Sequence, residues 1–166
     1  MTKILLYAFK PFGKNNHNIS EDVLNYIPTS KLIKKVILQT HFEKITFLDL
    51  INRYHPDIIL GVGQYPKGNK IRIETRAVNQ FGSLKTKKFQ SIDSKGPDCL
   101  FTTLNIKPDV DCIISDDAGV FVCNFSMYVL LKECLGKKIR FGFIHIPKRF
   151  DQEKAVKFIQ KTLDLI

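Results

Sequence analysis

Residues 111–136 read DCIISDDAGVFVCNFSMYVLLKECLG and contain the unit on which the fold prediction rests. The apolar segment DCIIS predicts a core strand, and CNFSMYVLLKECLG predicts a helix that Gly136 closes. Cys123 stands where the loop after the strand meets this helix. A strand followed closely by a helix is the unit from which parallel sheets are built, so the stretch favours an α/β fold.

Strand and helix patterns alternate along the rest of the chain as well. Strands are predicted at 3–9, 31–39, 56–63, 69–79 and 138–147, and helices at 20–27, 42–54 and 151–166, with Ser20 and Asp151 as N-caps. Residues 80–98 show no clear period and are predicted to form a long loop. The predicted fold class is α/β, a three-layer α/β/α sandwich around a mostly parallel, twisted sheet.

Length and composition favour one globular domain spanning residues 1–166. The chain has 44% hydrophobic and 25% charged residues, enough to form a core. No apolar run reaches the ~18 residues of a membrane span, and the first apolar segment has no small-residue cleavage site. The four cysteines form no C-x-x-C pair and are expected to be reduced thiols. We therefore expect a cytoplasmic protein.

The chain is basic, with 26 Lys and Arg against 16 Asp and Glu and a net charge of +10. This charge attracts acidic partners. The lysines are dispersed, which argues against a nucleic acid as the partner. The one local cluster, LKTKKFQ at 84–90, is expected to be a solvated loop.

Cys123 is the first candidate for chemistry, because it stands at the predicted start of a helix. Unpaired backbone N–H groups and the positive end of the helix dipole favour the nucleophilic thiolate at that point. The alternative is a buried structural thiol. We prefer that interpretation for the other cysteines, Cys99, Cys112 and Cys134.

His145 and Glu74 are the other two candidates. His145 lies in GFIHIP at the end of an apolar strand, where a histidine is often a core or edge residue. Glu74 lies in the strand IRIETR, where a glutamate is often a solvated side chain. Reactive groups of α/β sheets collect at the ends of strands, and a thiol, an imidazole and a carboxylate supply a nucleophile, a base and an orienting group. The three residues therefore form a candidate relay.

Five segments share a resemblance to one family. They are FKPFGKNNHNIS at 9–20, PDIILGVGQ at 56–64, ETRAVN at 74–79, SDDAGVFVCN at 115–124 and GFIHIP at 142–147. In this order they resemble the amino-terminal, third-strand, glutamate, cysteine and histidine motifs of the pyroglutamyl peptidase I family. These are the C15 cysteine peptidases, also called pyrrolidone-carboxylate peptidases. The segments cover most of the chain, and the set is far more specific than any one motif.

The resemblance implies a cysteine peptidase that removes an N-terminal pyroglutamyl residue from a small peptide. It implies Cys123 as the nucleophile, His145 as the base and later the acid, and Glu74 as the residue that orients the imidazole. The backbone N–H of Cys123 is the expected oxyanion donor. No metal or organic cofactor is expected.

The resemblance also implies an apolar pocket for the lactam ring of the substrate. The matching positions are Phe9, Phe12, Phe121 and Val122, with Thr40 as a further neighbour and Gln64 where a glutamine of the family reaches the ring amide. Aromatic walls with one or two hydrogen bonds suit a flat, uncharged ring. The alternative for the phenylalanines is plain core packing.

The chain departs from the family pattern in several places. Thr75 stands where the family has a basic residue, and GSLKTKKFQ at 82–90 replaces the family's A-R-I-P-D-N segment, so the arginine of that segment has no counterpart. The helix before residue 111 and the long loop after residue 147 are shortened. These changes predict a trimmed fold with a more open leaving-peptide side. The alternative function is a homologue that binds an acidic ligand or partner, and a homo-oligomer is left open because the family often forms dimers or tetramers.

Overall fold

The computed structural model describes residues 1–13, 16–83 and 85–166. Residues 14, 15 and 84, which belong to the amino-terminal motif and to the predicted 80–98 loop, lie outside the described residues. The helices of the described residues are α1 (Ile19–Tyr26), α2 (Lys44–Tyr54), α3 (Val122–Cys134) and α4 (Gln152–Asp164). The strands are β1 (Ile4–Phe9), β2 (Ile33–Leu38), β3 (Ile58–Tyr65), β4 (Ile71–Glu74), β5 (Arg76–Val78), β6 (Phe81–Ser83), β7 (Lys88–Gln90), β8 (Cys99–Phe101), β9 (Cys112–Ser115) and β10 (Arg140–Pro147).

Six of these strands form the central sheet, in the order β2-β1-β3-β10-β4-β9. β1, β2, β3 and β10 run parallel, whereas β4 runs antiparallel to β10 and β9 runs parallel to β4. β3 lies near the middle, and its residues 58–63 are all buried, as expected for a strand covered on both faces. The sheet is mostly parallel, which confirms the predicted α/β class.

Each face of the sheet packs against two helices. Alternation along β10 sends Phe141 and Phe143 to the face covered by α2 and α3, and Ile144 and Ile146 to the face covered by α1 and α4. His145 alternates with its isoleucine neighbours, so it lies on the α2 and α3 face. The layers are those of the predicted sandwich.

The N-cap of α1 is Asn18, so the predicted N-cap Ser20 is wrong. Asn18 is extended, and its side-chain Oδ1 accepts from Ser20 N at 3.0 Å. Ser20 is instead buried in the first turn, where its hydroxyl donates to the same Asn18 Oδ1 at 2.8 Å. At the start of α4 the predicted cap is confirmed, since Asp151 Oδ1 accepts from Lys154 N at 2.8 Å.

The predicted strand over 69–79 is two strands in the structure. The break falls at Thr75, whose N–H donates to Ser115 O at 2.7 Å and whose carbonyl accepts from Thr102 N at 2.9 Å. β4, before the break, belongs to the central sheet, and β5, after it, pairs with β8. Both strands alternate polar and apolar residues, so the period alone does not reveal the change of partner.

The predicted long loop over 80–98 is wrong in part, because β6 and β7 form an antiparallel hairpin there. Gly82 N donates to Val120 O at 2.9 Å, which fastens the hairpin to the loop before α3. Strands of three residues are too short for a period to be visible in the sequence.

Candidate active site

Strand pairing brings Glu74 next to His145, although 71 positions separate them in the sequence. β4 runs antiparallel to β10, with Glu74 opposite Phe143 and Arg72 opposite His145. His145 Nδ1 and Glu74 Oε1 are 2.8 Å apart. The two residues are only 2% and 1% exposed, so their hydrogen bond is shielded from water. A carboxylate partner makes Nδ1 the donor and leaves Nε2 of the neutral ring unprotonated.

Cys123 reaches the same place from α3. The helix begins at Val122, after the extended residue Phe121, so Cys123 is its second residue. Its side chain is half-buried. A methyl group on Gly63 of β3 would lie 2.7 Å from Cys123 Sγ and 3.0 Å from His145 Cδ2. The sulfur and the imidazole therefore both border the bare backbone of Gly63.

The surroundings of Cys123 favour the neutral thiol. Burial and, secondly, the negative charge of Glu74 raise the pKa of Cys123 to about 12. The backbone N–H of Cys123 acts in the opposite direction but is outweighed. The thiolate predicted from the helix start is therefore not the resting form, because the loss of solvation exceeds the effect of the helix dipole. Attack by this sulfur requires a base.

The surroundings of Glu74 keep its carboxylate charged. Burial by itself raises the pKa of Glu74, but the hydrogen bond and charge of His145, together with the hydroxyl of Ser115 and the guanidinium of Arg72, outweigh it, and the pKa is lowered. Glu74 Oε2 is buried and has no hydrogen-bond partner among the described residues. The two contacts of measured length, from His145 Nδ1 and Arg72 Nε, are both made to Oε1.

Aromatic rings lie beside the amino end of α3. Phe12 and Phe121 are 40% and 39% exposed, and their ring centroids are 5.1 Å apart. Phe42 packs edge-on against Phe121 at 5.3 Å, and Phe81 of the β6–β7 hairpin packs against Phe42 at 5.1 Å. We call these four residues the aromatic cluster. It presents two partly exposed rings at the start of the Cys123 helix, namely Phe121, which directly precedes the helix, and Phe12, which packs against Phe121.

Phe9, Val122 and Thr40 have surroundings different from those exposed rings. Phe9 is buried and packs edge-on against Tyr7 at 5.7 Å, and Val122 is buried in the same core. Thr40 is half-buried in the loop after β2. Phe42 is not among the residues predicted for the site, although its position shortly after the end of β2 could have indicated a place near the site.

Gln64 follows Gly63 on β3 and therefore points to the opposite face of the sheet. Its Oε1 accepts a hydrogen bond from Ile19 N at 3.1 Å and so holds the start of α1. The side-chain carbonyl of Gln64 is thus engaged within the protein. Its contact with the ring amide of a substrate stays a prediction.

Arg72 also lies at the site, although it is not among the predicted site residues. Its Nε donates to Glu74 Oε1 at 3.1 Å, beside the histidine. The charged residues at every second position of IRIE are the signal that could have found it, because they place both side chains on one face of β4. The described residues contain no group of His, Cys, Asp and Glu side chains that could hold a metal ion.

The fold and the site together define a class of protein. On one face of a mostly parallel α/β sheet, a cysteine lies near an imidazole, and the imidazole is hydrogen-bonded to a buried carboxylate. This arrangement is the one expected of a thiol-dependent hydrolase.

Comparison of the sequence with known proteins gives the family. The sequence model of the C15 peptidases, described as pyroglutamyl peptidase, matches residues 2–159. A pyrrolidone-carboxylate peptidase of Vibrio campbellii is 33% identical over 186 aligned positions, which cover 100% of this chain and 88% of that protein. Another, from Saccharolobus islandicus, is 31% identical over an alignment that covers 87% of this chain and 78% of that protein. The chain belongs to the pyroglutamyl peptidase family.

Solved structures agree with this assignment. The pyrrolidone carboxyl peptidase from Thermococcus litoralis has a TM-score of 0.87 at 21% identity, over 99% of this chain and 94% of that one, and shows the same fold. Pyroglutamyl peptidase I from Bacillus amyloliquefaciens has a TM-score of 0.81 at 27% identity, over 98% of this chain and 93% of that one. The predicted family and the predicted enzyme class, a hydrolase of the peptidase type, are confirmed.

Proposed function

We propose that this protein is a cysteine peptidase that removes an N-terminal pyroglutamyl residue from small peptides, with Cys123, His145 and Glu74 as its triad. One observation carries the proposal. Cys123 Sγ and the ring of His145 both border Gly63, and His145 Nδ1 lies 2.8 Å from Glu74 Oε1. A nucleophile, a base and an orienting carboxylate thus lie near one another in the order that a triad requires.

In the proposed first step, His145 Nε2 takes the proton of the Cys123 thiol as the sulfur attacks the amide carbonyl of the substrate. A base is needed because the pKa of Cys123 is raised to about 12. The carbonyl oxygen becomes negatively charged, and the backbone N–H of Cys123 at the start of α3 stabilises it. The carbon–nitrogen bond then breaks, the imidazolium gives its proton to the leaving amine, and a thioester remains.

In the proposed second step, His145 takes a proton from water, which attacks the thioester carbonyl. The carbon–sulfur bond breaks, the sulfur recovers a proton from the imidazolium, and pyroglutamate leaves. Glu74 takes part in both steps by accepting the Nδ1 hydrogen bond, which turns Nε2 to the sulfur and stabilises the imidazolium.

On the substrate side, we propose that Phe12 and Phe121 bind the lactam ring, with Phe42 behind them. The partial exposure of the first two rings leaves their faces accessible to a flat, uncharged ligand. Phe9 and Val122 then support these walls from the core, and Thr40 supplies a polar group at the pocket edge.

We also propose that the protein acts in the cytoplasm on peptides with N-terminal pyroglutamate, and homo-oligomerisation stays open. All four cysteines are free, as suits a reducing compartment. Within the described residues, every helix is too short or too polar to cross a membrane.

The experiment is to incubate the purified protein with a pyroglutamyl fluorogenic amide, with and without a thiol alkylator. We expect turnover that alkylation and Cys123→Ser both abolish, whereas Cys99→Ser, which changes a half-buried thiol on β8, leaves it intact. The absence of turnover together with an unreactive Cys123 would contradict the proposal. That result would favour a homologue that binds an acidic ligand, as the charge of +10 permits.

A further inference from the structure

Arg72 shares an oxygen atom with the histidine of the proposed triad. Its Nε donates to Glu74 Oε1 at 3.1 Å, and the same Oε1 lies 2.8 Å from His145 Nδ1. The side chain of Arg72 is only 18% exposed and that of Glu74 is fully buried. A charge-assisted contact at so buried a site is weakly screened by water and salt.

Three further groups fix the guanidinium of Arg72. Its Nη2 donates to Ser115 Oγ at 2.6 Å and to Asp117 O at 2.9 Å. The guanidinium carbon lies 4.3 Å from the centroid of the Tyr65 ring, a cation–π contact. The Tyr65 ring in turn lies 5.6 Å from that of His145. Arg72 is therefore held by β9 and the loop after it and by Tyr65 at the end of β3, and cannot turn away without losing these contacts.

The strand order explains why these groups converge. β4 lies between β10, which carries His145, and β9, which carries Ser115 opposite Glu74. Arg72 and Glu74 are two residues apart on β4 and so share a face. Arg72 thus fills the space between the carboxylate and the sheet edge.

The unused oxygen of Glu74 makes Arg72 more important. Glu74 Oε2 is buried and has no hydrogen-bond partner among the described residues. With a single donor, the plane of the carboxylate could turn about the last bond of the side chain. The Arg72 Nε contact adds a second donor to the oxygen that faces His145, and the two donors together fix that plane.

We propose that Arg72 is a positioning residue of the triad, which fixes the Glu74 carboxylate against His145 and sets the pH range in which the imidazole acts as a base. The inference rests on the proposed function. The charged and titratable groups that face His145 are Glu74 and Arg72 from β4, Cys123 from α3 and Tyr65 from β3. Among these groups, Arg72 carries the positive charge.

The sign of the effect follows from that charge. A cation beside Glu74 offsets part of the attraction between the carboxylate and a protonated imidazole. Arg72→Met removes the cation, the imidazolium becomes more stable, and the base form appears only at higher pH. Arg72→Lys keeps the charge but loses the planar fork that binds Glu74, Ser115 and Asp117.

The test is the pH profile of kcat/KM for wild type, Arg72→Met and Arg72→Lys. We expect Arg72→Met to move the acid limb upward by about one pH unit and to lower kcat/KM at neutral pH about tenfold. Arg72→Lys is expected to leave the limb in place and to lower the rate. Arg76→Met is the matched control, since among the described residues the Arg76 side chain bonds to Asp116, on the surface side, and its profile should match wild type. An unshifted acid limb in folded Arg72→Met would overturn the inference.

Two additions keep the test decisive. Should Arg72→Met fail to fold, as a lost melting transition would show, Arg72→Gln removes the same charge while keeping a polar group, and the same limb shift is expected. The titration of His145 by NMR in a Cys123→Ser background measures its pKa without any turnover. An inactive wild type with a shifted His145 titration in Arg72→Met would refute the proposed peptidase activity and support the positioning role of Arg72. An active wild type with an unshifted titration in Arg72→Met would support the peptidase activity and refute the role of Arg72.

Discussion

The Sγ atom of Cys123 occupies the space that a side chain at Gly63 would need. A methyl group at Gly63 would lie 2.7 Å from Sγ and 3.0 Å from Phe143 Cζ, closer than non-bonded atoms approach. The absence of a side chain at Gly63 thus allows the amino end of α3 to pack closely against β3. The position of the sulfur beside the imidazole depends on this missing side chain.

Gly63→Ala should therefore displace Cys123 from His145. We expect kcat/KM to fall by roughly a hundredfold and the protein to lose about 1–3 kcal/mol of stability through overpacking. Turnover of the pyroglutamyl amide and urea unfolding measure the two effects. Gly136→Ala is the control, because a methyl group there meets nothing within 4 Å. Wild-type activity in Gly63→Ala would show that the packing over Gly63 does not hold the sulfur in place.

Ser126 links the Cys123 backbone to the core beneath it. Its hydroxyl donates to Cys123 O at 2.8 Å and lies 2.9 Å from Tyr7 OH, so the tyrosine is the donor of the second bond. Ser126→Ala leaves the buried Tyr7 hydroxyl without this partner, and we expect a loss of about 1–3 kcal/mol. Adding Tyr7→Phe should restore part of that stability, as a double-mutant cycle by urea unfolding measures. Strictly additive losses would mean that the two hydroxyls are not coupled.

Alkylation of Cys123 should keep accelerating with pH well above neutrality. Burial and the charge of Glu74 raise its pKa to about 12, so the reactive thiolate grows steadily across the alkaline range. The measurement is the rate of labelling by a small neutral alkylator, with Cys123→Ser as the background from the other thiols. A plateau near neutral pH would instead indicate a stable thiolate–imidazolium pair.

Glu74 should make folding depend on acidity. Its pKa is lowered in the folded protein, so its charge stabilises the fold above the pKa of the unfolded chain, and this contribution is lost as the pH falls through the lower folded value. We expect the stability difference between wild type and Glu74→Gln to shrink from neutral pH to about pH 3. Urea unfolding at a series of pH values measures it. A difference that grows on acidification would reverse the sign of the Glu74 effect.

Local patterns suffice for much of the architecture. The α/β class follows from the alternation of strands and helices, and Asp151 is recognisable as a cap because an N-cap acts on the next few residues. Predictions fail where a distant partner decides, as at Thr75, which ends β4 because it bonds to Ser115 and Thr102 from two other segments. The wrong cap of α1 is a local error, since Asn18, two residues before Ser20, is an equally good N-cap residue.

The sequence alone determined the fold class, the family and the identity of the three candidate residues, because periodicity and motifs depend on residues that are close together in the chain. Only the tertiary structure decided that β4 runs antiparallel to β10, which sets Glu74 and Arg72 beside His145. It also decided that Cys123 is desolvated rather than activated by its helix. Strand direction, register and burial arise from contacts between residues far apart in the chain, and no local pattern specifies them.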